Sequence, residues 1–207
     1  MNRRKVLKLS GFKIDYSKNT GLNEFINNPN CTFLGTQCDQ SFTAFFIWEK
    51  FFQSNGDIKR FLELGCDFGG TSVFFALWCY NIEADYHGFD FRPKRRYRSK
   101  PVMRLIQLAK KMNTGNLYNE KMTNKVIELI KQPGRSVLFC DCIDKPWEFK
   151  TFGPYLKKND VVAVHDWDRA IKDKWVQKTI LQISPVKLLY EDERLKLNTL
   201  TRFFLKE

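Results

Sequence analysis

The chain has 207 residues, enough for one sizeable core, and folding would bury roughly 70% of its extended surface. With 43% hydrophobic, 28% charged and 15% aromatic residues it is too apolar for a disordered chain, and no stretch approaches the roughly 18–20 uninterrupted apolar residues of a membrane span. Thirty-five Lys and Arg against 23 Asp and Glu give +12, which favours an anionic partner, nucleic acid included, and carries no information on fold.

Met1 leads into Asn2, Arg3, Arg4 and Lys5 without the apolar core of a signal peptide, so a cytoplasmic protein is expected. Residues 1–38 are polar and Asn-rich, with turn chemistry at Asn27, Asn28, Pro29 and Asn30. They read as an N-terminal extension, serving as a lid or a homodimer contact, ahead of a single domain over 39–207. Asp39 suits the N-cap of a helix over 40–53, where Phe42, Phe45, Phe46, Trp48 and Phe52 form a broad apolar face.

From there strand and helix patterns alternate. Residues 59–64 form a short apolar strand, Gly69 and Gly70 a tight turn, and 71–80 an apolar helix; 86–90 is the next strand. A further strand is required between 97 and 117, but the basic, mixed sequence does not place it. Helical spacing returns over 120–131, Pro133 and Gly134 break the chain, and 136–140 is a strand. A helix over 147–158 bends near Gly153 and Pro154, 160–165 is a buried strand, and 172–183 is helical. Residues 186–190 and 197–205 read as an antiparallel hairpin at the sheet edge, turning at Glu191 to Arg194. Helices between strands imply a doubly wound, mostly parallel sheet covered on both faces.

Cys31, Cys38, Cys66, Cys79, Cys140 and Cys142 sit mostly in apolar runs and are expected to be reduced. Neither they nor the two histidines, His87 and His165, have the spacing of zinc ligands. His87 lies inside a strand and reads as structural.

The segment from Phe61 to Ser72 carries the most chemistry: an apolar strand ending in Glu63, then Gly65, Asp67, Gly69 and Gly70, then Thr71 and Ser72 at a helix start. Glycines serve where the chain turns sharply or a ligand approaches the backbone. An acid before the turn suits an ammonium better than a pyrophosphate. Gly88, Phe89 and Asp90 place a second acid at the end of the next strand.

These residues resemble class I S-adenosylmethionine-dependent methyltransferases. Within them, Glu63-Leu-Gly65 followed by Gly69-Gly70-Thr71-Ser72, Asp90-Phe91-Arg92-Pro93, and His165-Asp166 ending a strand are similar to the cephalosporin hydroxylase-like and macrocin O-methyltransferase-like group, which includes sugar O-methyltransferases. Gln37 and Gln40 before the aromatic helix fit as well. The likeness covers roughly residues 30–170. It implies a Rossmann-like seven-stranded domain using S-adenosyl-L-methionine to methylate a hydroxyl of a sugar, glycan or glycosylated small molecule.

The resemblance also implies roles. Glu63 would face the methionine ammonium, Asp90 the ribose hydroxyls, and Gly65, Asp67, Gly69 and Gly70 would lie along the cofactor, with Thr71 and Ser72 capping the helix and reaching the cofactor carboxylate. Asp141 and Asp166 would hold Mg2+ or Mn2+, as in metal-dependent members. Asp141 and His165 are the candidates for receiving the acceptor's proton. After Asp141 the group's acid-rich pattern lapses, with Ile143 in place of its second acid and Asp144 where a His is usual. Arg92 heads a basic run to Lys100 that would steer an anionic acceptor, and Trp167 offers an aromatic face to a sugar. Two alternatives stand beside this reading: a nucleic-acid methyltransferase, favoured by charge but lacking its signature motifs, and a cofactor-binding subunit without catalysis.

Overall fold

A computed structural model describes residues 12–14, 31–38, 40–91 and 112–207. Its described strands are β1 (Phe12–Ile14), β2 (Cys31–Phe33), β3 (Thr36–Gln37), β4 (Ile58–Leu64), β5 (Asp85–Asp90), β6 (Met112–Thr114), β7 (Arg135–Cys140), β8 (Val161–Val164), β9 (Val186–Leu189) and β10 (Arg202–Lys206). The last seven form one sheet in the order β6-β5-β4-β7-β8-β10-β9. Strands β4 to β8 run parallel, and β10 is antiparallel to both β8 and β9.

The period-2 alternation of the parallel strands sorts their side chains into two cores. Phe61, Val137, Phe139, Val161, Ala163 and Phe203 point to one face, beneath α1 (Phe42–Ser54) and α2 (Gly70–Asn81). Leu62, Leu64, Leu138, Cys140, Val162 and Val164 point to the other, beneath α3 (Glu120–Lys131), α4 (Lys145–Phe152) and α5 (Asp173–Ile183). Trp48 of α1 is the hub of the first core, fully buried, with its ring centroid 4.6 Å from Phe203, 4.7 Å from Phe75 and 5.1 Å from Phe139. Glu63, in register with Phe139 on β7, follows Phe61 on that same face. The alternation that builds the core thus sets a carboxyl at its edge, beside the strand tips.

The strand that the sequence did not place is β6, whose pairing with β5 begins at Gly88 opposite Met112. Within residues 31–38, β2 and β3 form a hairpin, and Cys31, Phe33 and Cys38 are buried in the first core, with Phe33 edge-on to Phe74. Asp39, read as an N-cap, lies outside the described residues; Ser41 occupies the cap position of α1. The helix expected over 147–158 ends at Phe152 and tightens into a 3-10 turn, Gly153–Tyr155. At the C-terminus the expected turn is a helix, α6 (Glu191–Lys196), and β10 lies inside the sheet with β9 outermost. Arg194 of α6 is buried, bonding Glu191 and Asp168, and so ties this connection to the loop after β8. Among the described residues no helix is long and apolar enough to cross a membrane.

Candidate active site

Open parallel sheets leave a crevice outside the carboxyl ends of their strands, where neighbouring connections diverge. Here the tips are held in step by backbone bonds that outlast the strands. Gly65 N–H donates to Phe89 O (2.8 Å), Asp141 N–H to Leu64 O (2.9 Å) and His165 N–H to Cys140 O (3.0 Å). Above them lies a cavity of about 650 Å3, lined by Gln40, Ser41, Glu63, Gly65, Cys66, Asp67, Thr71, Asp141, Lys145, His165, Asp166, Arg169 and Leu200. Four acids against two permanent cations give it an acidic lining in a basic protein.

Its floor is the loop after β4. Gly65 (φ 89°), Asp67 (φ 39°) and Gly69 (φ 88°) all adopt positive φ, so the chain folds back tightly before α2 begins. A side chain at Gly65 would place Cβ 2.4 Å from the Asp141 carbonyl oxygen, so this glycine lets the loop lie against the tip of β7. Gly70 meets a packing demand as well: its would-be Cβ meets Gln37 O at 2.4 Å and Cys38 Sγ at 2.6 Å, packing the start of α2 on the β2–β3 hairpin. Gly69 is the N-cap residue, which puts Thr71 and Ser72 inside the helix instead of at its cap. Thr71 lines the cavity, whereas Ser72 is fully buried within the helix and does not. Asp90 Oδ2 accepts from the backbone N–H groups of Cys66 (2.8 Å) and Asp67 (2.9 Å), anchoring the loop to β5 from outside the cavity lining.

Glu63 is 1% exposed and accepts a hydrogen bond from the Tyr86 hydroxyl. Burial pushes its pKa up to about 7 even against that bond, because no cation among the described residues pairs with it. Opposite it stand Asp141 and Asp166. Asp141 Oδ2 accepts from Gln40 Nε2 at 2.6 Å, and its Oδ1 lies 3.6 Å from Lys145 Nζ. Asp166 Oδ2 is 3.2 Å from the same ammonium, and its Oδ1 is 3.5 Å from His165 Nε2. Burial, with the Asp166 charge adding to it and Lys145 opposing, raises the Asp141 carboxyl well above the usual range. Burial also pushes His165 down to about 4, leaving its ring neutral, with Nδ1 3.0 Å from Thr201 Oγ1.

Lys145, Gln40 and Arg169 are the functional candidates to which sequence reasoning assigned no role. Lys145 sits four residues beyond Asp141, across a short loop and at the first position of α4, whose N-cap Asp144 accepts from Trp147 N–H at 2.9 Å. That spacing was the available signal. The buried Gln40 has an unpartnered Oε1 facing the cavity region, and Arg169 stands exposed at its rim. The expected metal pair is corrected here: Asp141 and Asp166 come together as expected, but the Lys145 ammonium lies between them. Among the described residues no three His, Cys, Asp or Glu are placed to hold a metal ion. Such a donor set does not fit a divalent cation, which takes about six oxygens at roughly 2.0–2.6 Å. Trp167 is likewise corrected, because its ring is fully buried against Phe149, Phe204 and Arg202 and presents no face to a sugar. Arg92 and its basic run lie outside the described residues.

No known family's profile matches the sequence, and no curated protein matches it. Solved structures do. CmcI with Mg and SAM aligns over 93% of this chain and 87% of its own at TM-score 0.61 and 12% identity. Apo CmcI aligns over 100% and 96% at TM-score 0.63 and 12% identity, and CmcI with SAH over 94% and 95% at 0.59 and 12%. The chain therefore shares the Rossmann-like fold of these structures, a mostly parallel sheet that here carries its antiparallel strand next to last.

Proposed function

We propose that this chain is an S-adenosyl-L-methionine-dependent O-methyltransferase whose acceptor is a hydroxyl of a sugar, glycan or glycosylated small molecule. The observation that carries the reading is Glu63, a buried carboxyl on the cavity floor that meets no cation among the described residues. An ammonium beside it would satisfy the charge that burial now suppresses. The rest of the site fits the same ligand: a left-handed glycine loop at a helix start, an acidic lining for a net positive molecule, and an orphaned Gln40 oxygen. The cavity volume of about 650 Å3 falls in the roughly 300–1,000 Å3 range of small-molecule sites. The CmcI structures holding SAM and SAH on this fold support the reading, as does the motif resemblance from Glu63 to Ser72.

Bound there, the cofactor supplies an electrophilic methyl on a sulfonium sulfur. The chain's task is to place an oxygen in line with it and to take the proton of a weakly acidic alcohol. Asp141 is the proposed proton acceptor: Gln40 orients it, and Lys145 stands where a developing alkoxide needs a positive charge. His165, neutral beside Asp166, is the second candidate. Asp67 and Thr71 would lie along the cofactor, while Asp90 acts by holding the loop in shape. The polar lining from Ser41 to Arg169 suits hydroxyl-bearing acceptors.

The test has two stages. Calorimetry on the full chain should detect S-adenosylmethionine binding, and a methyl-labelled cofactor should then deliver label to a glycan or glycoside panel as an alkali-stable ether. A chain that ignores this cofactor, or prefers a nicotinamide, ends the proposal. The pH dependence is specific. Below about pH 7 Glu63 holds a proton that a cationic ligand must displace, so affinity should fall about tenfold per pH unit below 7 and level off above it. Binding in that lower range should release a proton, visible as a heat that depends on the buffer. An affinity flat across this window would remove Glu63 from the ammonium site, and Glu63→Gln should bind weakly at every pH.

A further inference from the structure

We propose that the Lys145 ammonium takes the place of a divalent cation, so that the tips of β7 and β8 are bridged by a built-in charge and the site operates without a metal. The two carboxylates that a metal would need already face nitrogen. Asp141 meets Gln40 Nε2 at 2.6 Å and Lys145 Nζ at 3.6 Å, and Asp166 meets Lys145 Nζ at 3.2 Å and His165 Nε2 at 3.5 Å. Each of the four carboxylate oxygens thus has a nitrogen within 3.6 Å, and the one ammonium stands between the two acids.

Lys145 is not a surface lysine that drifted inward. Its side chain is 12% exposed, its Nζ also donates to Cys142 O at 2.8 Å, and its backbone opens α4, which Asp144 caps. An ammonium delivers three donors and one charge from a fixed stem. A metal delivers two charges but demands a shell of oxygens, and the fixed ammonium would repel it from the same spot. Supplying the charge from the chain keeps the site's electrostatics independent of ion supply, and its single charge matches what one developing alkoxide requires.

The inference concerns the ion between Asp141 and Asp166 and is tested apart from methyl transfer, with Mn2+ as the probe on the full chain. Titration followed by the electron paramagnetic resonance of free Mn2+ should show only weak uptake by the wild-type chain, and chelator should leave its cofactor affinity and melting temperature unchanged. Lys145→Met, which keeps the stem and removes the charge, should bind Mn2+ at least tenfold more tightly than wild type, and adding Asp166→Asn should abolish the gain. Lys145→Arg keeps the charge and should bind Mn2+ as weakly as wild type. Tight Mn2+ binding by the wild-type chain that Asp141→Asn removes would overturn the proposal, as would a folded Lys145→Met with no gain. Should Lys145→Met fail to fold, the wild-type titration decides alone. A chain that binds no S-adenosylmethionine would defeat the proposed function and leave this result standing.

Discussion

Asp141→Asn should transfer methyl groups roughly 10²–10⁴-fold more slowly than wild type while binding S-adenosylmethionine about as well. The substitution keeps the shape but removes the group that can take a proton. It also changes what the neighbours meet, since Asp141 receives a bond from Gln40 Nε2 and faces Lys145 Nζ. An amide can accept from one of these but must turn its own N–H groups toward the other. The loss should therefore fall on turnover, with the cofactor floor at Glu63 and Gly65 undisturbed. His165→Ala removes the second candidate, and its effect depends on whether the imidazole relays the proton or only positions Asp166. Cofactor affinity by calorimetry and turnover by labelled methyl transfer separate the two quantities. Near-normal turnover in both variants would strip Asp141 and His165 of the role proposed for them.

Gly65→Ala should damage both stability and cofactor binding. The residue sits at φ 89°, a region that costs an alanine roughly 1–2 kcal/mol. The added methyl would also stand 2.4 Å from Asp141 O, 2.7 Å from its carbonyl carbon and 2.8 Å from Cys142 Cα, all backbone atoms that cannot swing aside. Relief requires the loop to separate from β7, which breaks the Gly65–Phe89 and Asp141–Leu64 bonds that align the tips. A loss of at least about 2 kcal/mol is expected, lowering the melting temperature by roughly 4–8 °C for a chain of this size. Gly35→Ala is the control. That residue has φ 79° but nothing within 4 Å of the added methyl, so it should bear only the conformational cost and leave cofactor affinity alone. Equal losses in the two variants would show that the close approach at Gly65 is not what matters.

How much of this was legible along the chain follows from the range of the forces involved. Helix α3 fell where its apolar spacing put it, and β4, β5, β7 and β8 were each marked by a short apolar run bounded by breakers. Those are local signals, written within a dozen residues. Strand β6 has three residues, none of them buried, and is a strand only because β5 offers it an edge to pair with. The expected terminal hairpin is present, with β9 and β10 antiparallel at the sheet edge, but its connection differs for a related reason. β10 fits between β8 and β9, with Phe203 and Phe204 filling the two cores, and that leaves a helix where a turn was read. Trp167 follows a strand end, where the sequence predicts a free aromatic face, but between the left-handed residues Asp166 and Asp168 its ring is buried against Phe149 and Phe204.

The site divides along the same line. Glu63, Asp141, His165 and Asp166 could be named from the chain alone, because each stands where an apolar run stops, and strand ends in such sheets converge. What the chain could not disclose is which side chains meet above them. Gln40 reaches Asp141 across 101 positions, and Lys145 is drawn between two carboxylates that belong to different strands. Hydropathy and turn chemistry act on neighbours in sequence, whereas charge pairing and the burial that drives Glu63 upward depend on what lies within a few ångströms in space. The acids were therefore set by sequence pattern, and their partners, a lysine where a metal was expected, by packing.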